Sequence, residues 1–107
     1  MKIHEELNGR RLVLFLKGNF DETSSPVVEE KLQEALSRDI DSITFNLKGV
    51  EYISSAGIRV LIMAYKKMVK SGKSVHMAEM SGKVRDMLEV VGILPLFAET
   101  GRVDTGA

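Results

Sequence analysis

The sequence predicts an α/β fold: a mixed, mostly parallel β-sheet with an antiparallel N-terminal edge and packed α-helices. Short apolar runs suited to strands alternate with stretches of helical periodicity, the pattern of parallel strands joined by crossover helices. The first two strand-like runs are separated only by Asn8-Gly9-Arg10, a tight hairpin signal that makes them antiparallel. A length of 107 residues suits one modest core, so a single fold with a single site is expected.

The two opening strands are read at Lys2 to Leu7 and Arg11 to Lys17, the second so continuously apolar (Leu12 to Leu16) that it suits a strand covered on both faces. A polar loop, Gly18-Asn-Phe-Asp-Glu-Thr, follows. Ser25 then reads as a helix cap with Pro26 at the first helical position, where its missing N–H is not needed. Val28, Leu32, Ala35 and Leu36 line that helix. A strand from Ser42 to Leu47 leads into a turn and a helix whose apolar face reads Ile58, Leu61, Ile62, Tyr65 and Val69. This helix stops near Ser71-Gly72, where Lys66, Lys67, Lys70 and Lys73 complement its negative end. Ser74 to Ala78 forms the last inner strand. Ser81-Gly82 opens a third helix with Val84, Met87, Leu88 and Val91 on one side, and Gly92 closes it. Ile93 to Phe97 contains Pro95 and reads as at most an edge segment packed on the core. Residues 1–98 form the domain; 99–107 are polar, lack periodicity and read as a poorly ordered tail.

In a parallel sheet, function gathers at the carboxyl ends of the strands, so the Asp21 loop and the Ser54-Ser55 turn should emerge on one edge. Either serine suits the helix start, where its oxygen accepts from an unpaired backbone N–H; the same N–H groups and the helix dipole also suit a phosphate. The plain reading is a cap, and the functional one is a phosphoacceptor. The two are compatible. Gly57 lets another segment approach the backbone there, and Asp21 is either a turn former or a carboxylate beside Ser55.

Composition narrows the partners. Fifteen basic residues balance fifteen acidic ones, leaving no global field to draw nucleic acid or an anionic membrane, and no apolar run is long enough to span one. The expected partner is a protein. The charged N-terminus lacks a signal peptide's apolar core, so the cytoplasm is the default location. There is no cysteine, and His4 and His76 lack metal-ligand spacing, so no metal is expected. Nucleotide-loop motifs are absent and no cofactor is expected. A serine hydrolase is a distant option, because Ile53-Ser-Ser-Ala-Gly57 lacks the first glycine of a nucleophile elbow. No catalytic residue is assigned and the chain does not read as an enzyme.

Val50-Glu-Tyr-Ile-Ser-Ser-Ala-Gly-Ile-Arg-Val-Leu61, with Gly18-Asn-Phe-Asp21, Ser25-Pro26, the Ile43-Thr-Phe-Asn-Leu47 strand and Val84-Arg-Asp-Met-Leu-Glu-Val-Val-Gly-Ile93, resembles the STAS domain of bacterial anti-sigma factor antagonists over residues 2 to 98. The resemblance implies a partner switch. The unmodified protein would bind an anti-sigma factor serine kinase and free a sigma factor; phosphorylation before the central helix would end the complex, and a PP2C-type phosphatase would restore it. The family motif places the acceptor at Ser55. Ser54 stands at the family's aspartate position and is a second candidate acceptor; Asp21 matches the aspartate of the preceding loop. The implied docking surface comprises Asp21, Ser54, Ser55, Gly57 and Ile58, and a monomer is the default. The alternative is a non-switching STAS subunit of another signalling or transport-associated complex, in which Ser55 is only a cap.

Overall fold

The computed structural model describes the backbone of residues 1–100 and the side chains through residue 97. Eight elements follow in order: β1 (Lys2–Asn8), β2 (Arg11–Phe20), α1 (Ser25–Leu36), β3 (Ser42–Ile53), α2 (Ser55–Lys70), β4 (Ser74–Ala78), α3 (Gly82–Val90) and α4 (Leu94–Thr100). The four strands form one sheet in the order β1-β2-β3-β4. β1 is antiparallel to β2, and the other two pairings are parallel. The hairpin closes over Gly9 and Arg10, between the paired Asn8 and Arg11, with Gly9 at φ 63°. A glycine takes that left-handed conformation without steric cost.

One face of the sheet carries the core. Leu12, Leu14 and Leu16 of β2 alternate with Val13 and Phe15, and the leucines join Ile43, Phe45 and Leu47 of β3 and Val75 and Met77 of β4 beneath the helices. α1 contributes Val28, Leu32 and Ala35. Val13 and Phe15 stay half-buried and outside the core, which corrects the expectation that this strand is covered on both faces. The buried stripe of α2 is also rotated from the one read in the sequence. Gly57, Val60, Leu61, Ala64 and Met68 face inward, while Ile58, Ile62 and Tyr65 are partly buried and Val69 is exposed. Small residues at 57 and 64 allow the helix axis close to the sheet.

Two segments differ in kind from expectation. β3 does not end at Leu47; it continues to Ile53 alongside β2 and outruns β4, which pairs only with Ser42 to Asn46. The continuation passes through a bulge, because Phe15 pairs with Asn46 but Lys17 with Gly49, so two residues on β3 face one on β2. Buried Asn46 secures it: its side-chain oxygen accepts from the Lys48 N–H at 3.1 Å, and its amide nitrogen donates to the Glu79 carboxylate at 2.9 Å. Glu79 follows β4 in the left-handed region, at φ 53°. Beyond the end of β4, α3 packs against β3.

The second difference is Ile93 to Phe97, which contributes to a helix, α4, rather than an edge segment. Pro95 lies in the first turn of α4, where no N–H is required of it. Phe97 is buried, with its ring 5.9 Å from that of Tyr65 on α2. α4 runs to Thr100, two residues past the boundary read at residue 98; the remainder of the expected tail, 101–107, lies outside the described residues.

β1 is tied by charge to α1 and to the turn that follows it. The partly buried Glu5 carboxylate meets Lys31 Nζ at 2.9 Å and Arg38 Nη1 at 2.6 Å. Hydrogen bonds from Lys31 and then Arg38 hold it below the ordinary glutamate value of 4.5, against the opposing pull of partial burial. The folded protein therefore binds this proton less tightly than the unfolded chain does. The resulting stabilisation is present above the ordinary value and is lost as pH falls through the lowered one. Glu5→Gln is expected to lower the urea midpoint at neutral pH, and the gap from wild type should narrow as pH falls below the ordinary glutamate value; a gap unchanged across that range would show that the ion pairs contribute nothing.

Candidate functional site

The carboxyl ends of β2 and β3 lie side by side, with Phe20 paired to Ile53, so the loops that follow them leave the sheet together. The Phe20 carbonyl accepts from the Ser54 N–H at 2.9 Å. Asp21 and Ser55 are each the next residue along. Gly57 seals the junction: a Cβ there would lie 2.7 Å from the Phe20 carbonyl oxygen and 2.9 Å from both Ile53 Cγ1 and Phe20 Cγ. Only a residue without a side chain fits, as the sequence reading expected of this position.

The two serines divide the roles that the sequence left open. Ser54 is the N-cap of α2: its backbone is extended, its Oγ accepts from the Ala56 N–H at 3.2 Å and its carbonyl accepts from the Ile58 N–H at 2.9 Å. It is 6% exposed. Ser55 is the first residue of the helix and is exposed, and among the described residues its hydroxyl makes no hydrogen bond. The cap and the free hydroxyl are thus different residues. Both sit at the positive end of a helix with no acidic residue in its first turn.

The Asp21 loop is organised from within. The Asp21 carboxylate accepts from the backbone N–H groups of Thr23 at 3.1 Å and Ser24 at 3.2 Å. Ser24 Oγ donates to the Asn19 carbonyl at 2.7 Å, and Ser25 Oγ donates to the Asp21 carbonyl at 2.6 Å. The helix accordingly starts one residue earlier than read: Ser24 is its N-cap, Ser25 its first residue, and Pro26 lies in the first turn. Asp21 is half-buried and bonded to its own loop, not to the Ser55 hydroxyl. It shapes the surface beside Ser55 without orienting that hydroxyl.

Ser55, the half-buried Asp21 and Ile58, buried Ser54 and buried Gly57 all lie on this edge. Sequence reading missed Tyr52, 43% exposed, in the strand that leads into the Ser54 turn, and Val27, 55% exposed, in the helix that leads out of the Asp21 loop. Exposed apolar groups flanking a candidate docking turn are usable contacts. The signal in the sequence was weak, an aromatic two positions ahead of Ser54 and a valine directly after Ser25-Pro26. Among the described residues, no group of three histidine, cysteine, aspartate or glutamate side chains is placed to hold a metal ion, and no helix is long and apolar enough to cross a membrane.

The STAS domain family model matches residues 2–105. The chain belongs to the STAS family. This STAS domain is 25% identical to the anti-sigma F factor antagonist of Paenibacillus polymyxa over 103 residues, covering 91% of this chain and 88% of the relative. It is also 25% identical to the anti-sigma-B factor antagonist of Bacillus subtilis over 91 residues, covering 85% and 83%. Among solved structures it superposes on the anti-sigma factor antagonist SpoIIAA in its unphosphorylated form with a TM-score of 0.81 at 16% identity, covering 98% of this chain and 90% of that one. The phosphorylated form of the Bacillus cell fate determinant SpoIIAA gives 0.74 at 15% identity, covering 98% and 93%. At these identities the structural likeness establishes the fold.

Two stability measurements separate the parts of this STAS turn. Gly57→Ala forces a Cβ into a backbone oxygen and should cost about 1–3 kcal/mol, read as a drop in urea midpoint. Ser54→Ala removes the cap and should cost about 1 kcal/mol, whereas Ser55→Ala should stay within about 0.5 kcal/mol of wild type. Equal losses from the two serine variants would contradict the division of roles.

Proposed function

We propose that this STAS domain is an anti-sigma factor antagonist that binds an anti-sigma factor serine kinase in its unphosphorylated form, frees a sigma factor, and is switched off by phosphorylation of Ser55. A PP2C-type phosphatase resets it. The names of the relatives support the regulatory role, and the observation that carries the acceptor assignment is the exposed, unbonded hydroxyl of Ser55 beside a buried Ser54 already engaged as the cap. Ser54 is the poorer acceptor, because its oxygen must leave the Ala56 N–H before it can react.

The physics of the switch follows from the position. A phosphate adds a charge of about −1.5 to −2, and at a helix N-terminus that charge is tolerated by the fold. The same charge inside a desolvated protein contact costs about 3 kcal/mol or more, over a hundredfold in affinity. Asp21, Gly57 and Ile58 complete the docking surface, with Tyr52 and Val27 as its apolar flanks. The role is regulatory and needs no catalytic residue on this chain.

The test is incubation with ATP and the candidate kinase of the same host, with the phosphate mapped by fragment mass spectrometry in wild type, Ser54→Ala and Ser55→Ala. The expected result is phosphate on Ser55, lost only in Ser55→Ala, with release of the kinase on gel filtration and a change in Tm of less than about 4 °C. A stable complex that takes up no phosphate and tolerates Ser55→Ala would instead describe a permanently assembled STAS subunit.

A further inference from the structure

The sheet face that carries no core is lined by residues other than those around Ser55. An open groove of about 980 Å³ runs across β1, β2 and β3 to Glu79, within the ~300–1,000 Å³ range of small-molecule clefts. Its floor includes Gly49 and the half-buried ring of Phe15, 5.8 Å from the exposed His4 ring, and no helical residue lines it. A Cβ on Gly49 would press on β2, 3.0 Å from the Leu16 carbonyl oxygen and 3.1 Å from Lys17 Cα, so the two strands lie close together there. Lys2, Lys17 and Lys48 stand around it, and among the described residues none of the three is in an ion pair.

One polar group is built into the floor. Asn46 is 7% exposed, and its orientation is set because its oxygen accepts from Lys48 N–H. Its amide nitrogen therefore faces outward as a donor and is met by the Glu79 carboxylate at 2.9 Å. That carboxylate is delivered by a backbone in the left-handed region, which a glutamate rarely adopts. A buried donor is thus met by an internal carboxylate in a groove that three uncommitted lysines also line.

We propose that this groove binds a single-chain amphipathic carboxylate, whose head displaces Glu79 from the Asn46 amide between the lysines and whose chain lies over Phe15. The lysines select the negative head, and the apolar floor selects the chain. The groove shares no residue with the surface around Ser55.

The test is a titration of the full chain with sodium dodecanoate below its micellar concentration, followed by amide shifts in 1H–15N spectra. Acetate and dodecanol serve as head-only and chain-only comparisons. Saturable shifts are expected at Phe15, Lys17, Asn46 and Gly49, with both comparisons at least tenfold weaker. Lys17→Glu and Lys48→Glu should each weaken binding at least fivefold, and Glu79→Gly, which frees the amide and relaxes the backbone, should tighten it at least threefold. The spectra of each variant report its folding directly. Dodecanol binding as tightly as dodecanoate, shifts centred instead on the exposed Val90 and Val91, or indifference to the lysine and Glu79 variants would overturn the proposal. So would movement of the same amides on raising protein concentration alone, which would assign the groove to a second copy of the chain.

Discussion

The Phe20 carbonyl is the point on which the edge holding Asp21 and Ser55 depends. It accepts from the Ser54 N–H, which fixes where α2 begins, and it lies so close to Gly57 that the first turn of the helix is pressed against the end of β2. The next residue, Asp21, starts a loop bonded to itself through its carboxylate and carbonyl. One main-chain oxygen therefore sets the spacing between two loops that come from different strands. The remainder of the edge follows from that spacing. Because the contact is with main chain, no rotamer adjustment relieves it, and the local geometry is held more tightly than a contact between side chains would hold it.

That tightness explains how two adjacent serines differ so strongly. With Ser54 drawn in to cap the helix, Ser55 begins the helical spiral and is carried out to solvent. A rigid helix start presents the Ser55 hydroxyl in one place without spending that hydroxyl on the fold. A charge added there would act at the surface, because the cap that holds the helix start is the neighbouring residue.

The order of elements, the antiparallel edge, the hairpin and the position of the serine turn were legible because each rests on local chemistry: alternation of periods, Asn-Gly, and serines ahead of an apolar helix. The role of Gly57 was legible for the same reason. What was not legible depended on pairing partners remote in sequence. β3 runs on past Leu47 because β2 lies beside it, but its bulge breaks the two-residue alternation and makes Lys48 to Tyr52 look like a turn. Asn46, polar between Phe45 and Leu47, was the trace of that bulge. The stripe of α2 was ambiguous because Val60, Leu61, Ile62 and Met63 are all apolar, and only packing against Phe20 and Ile53 decides which faces inward. Pro95 misled because the same ring that breaks a strand also opens a helix. At the site, whether Ser54 or Ser55 caps turned on a backbone angle that no pattern encodes.

The unequal strand lengths shape more than topology. β1 pairs with β2 only as far as Lys17, and β4 pairs with β3 only as far as Asn46, so the last stretch toward Asp21 and Ser54 is a two-stranded ribbon projecting from a four-stranded body. Its backbone has fewer neighbouring strands to hold it, and packing by α2 and α3 replaces the missing ladders. Strand pairing alone would leave this ribbon the easier part to open, and the close approach of Gly57 to the Phe20 carbonyl is what closes it down. The body is held by its strand ladders and the tip by one close main-chain contact, so a single methyl group at position 57 would loosen the tip without breaking a ladder.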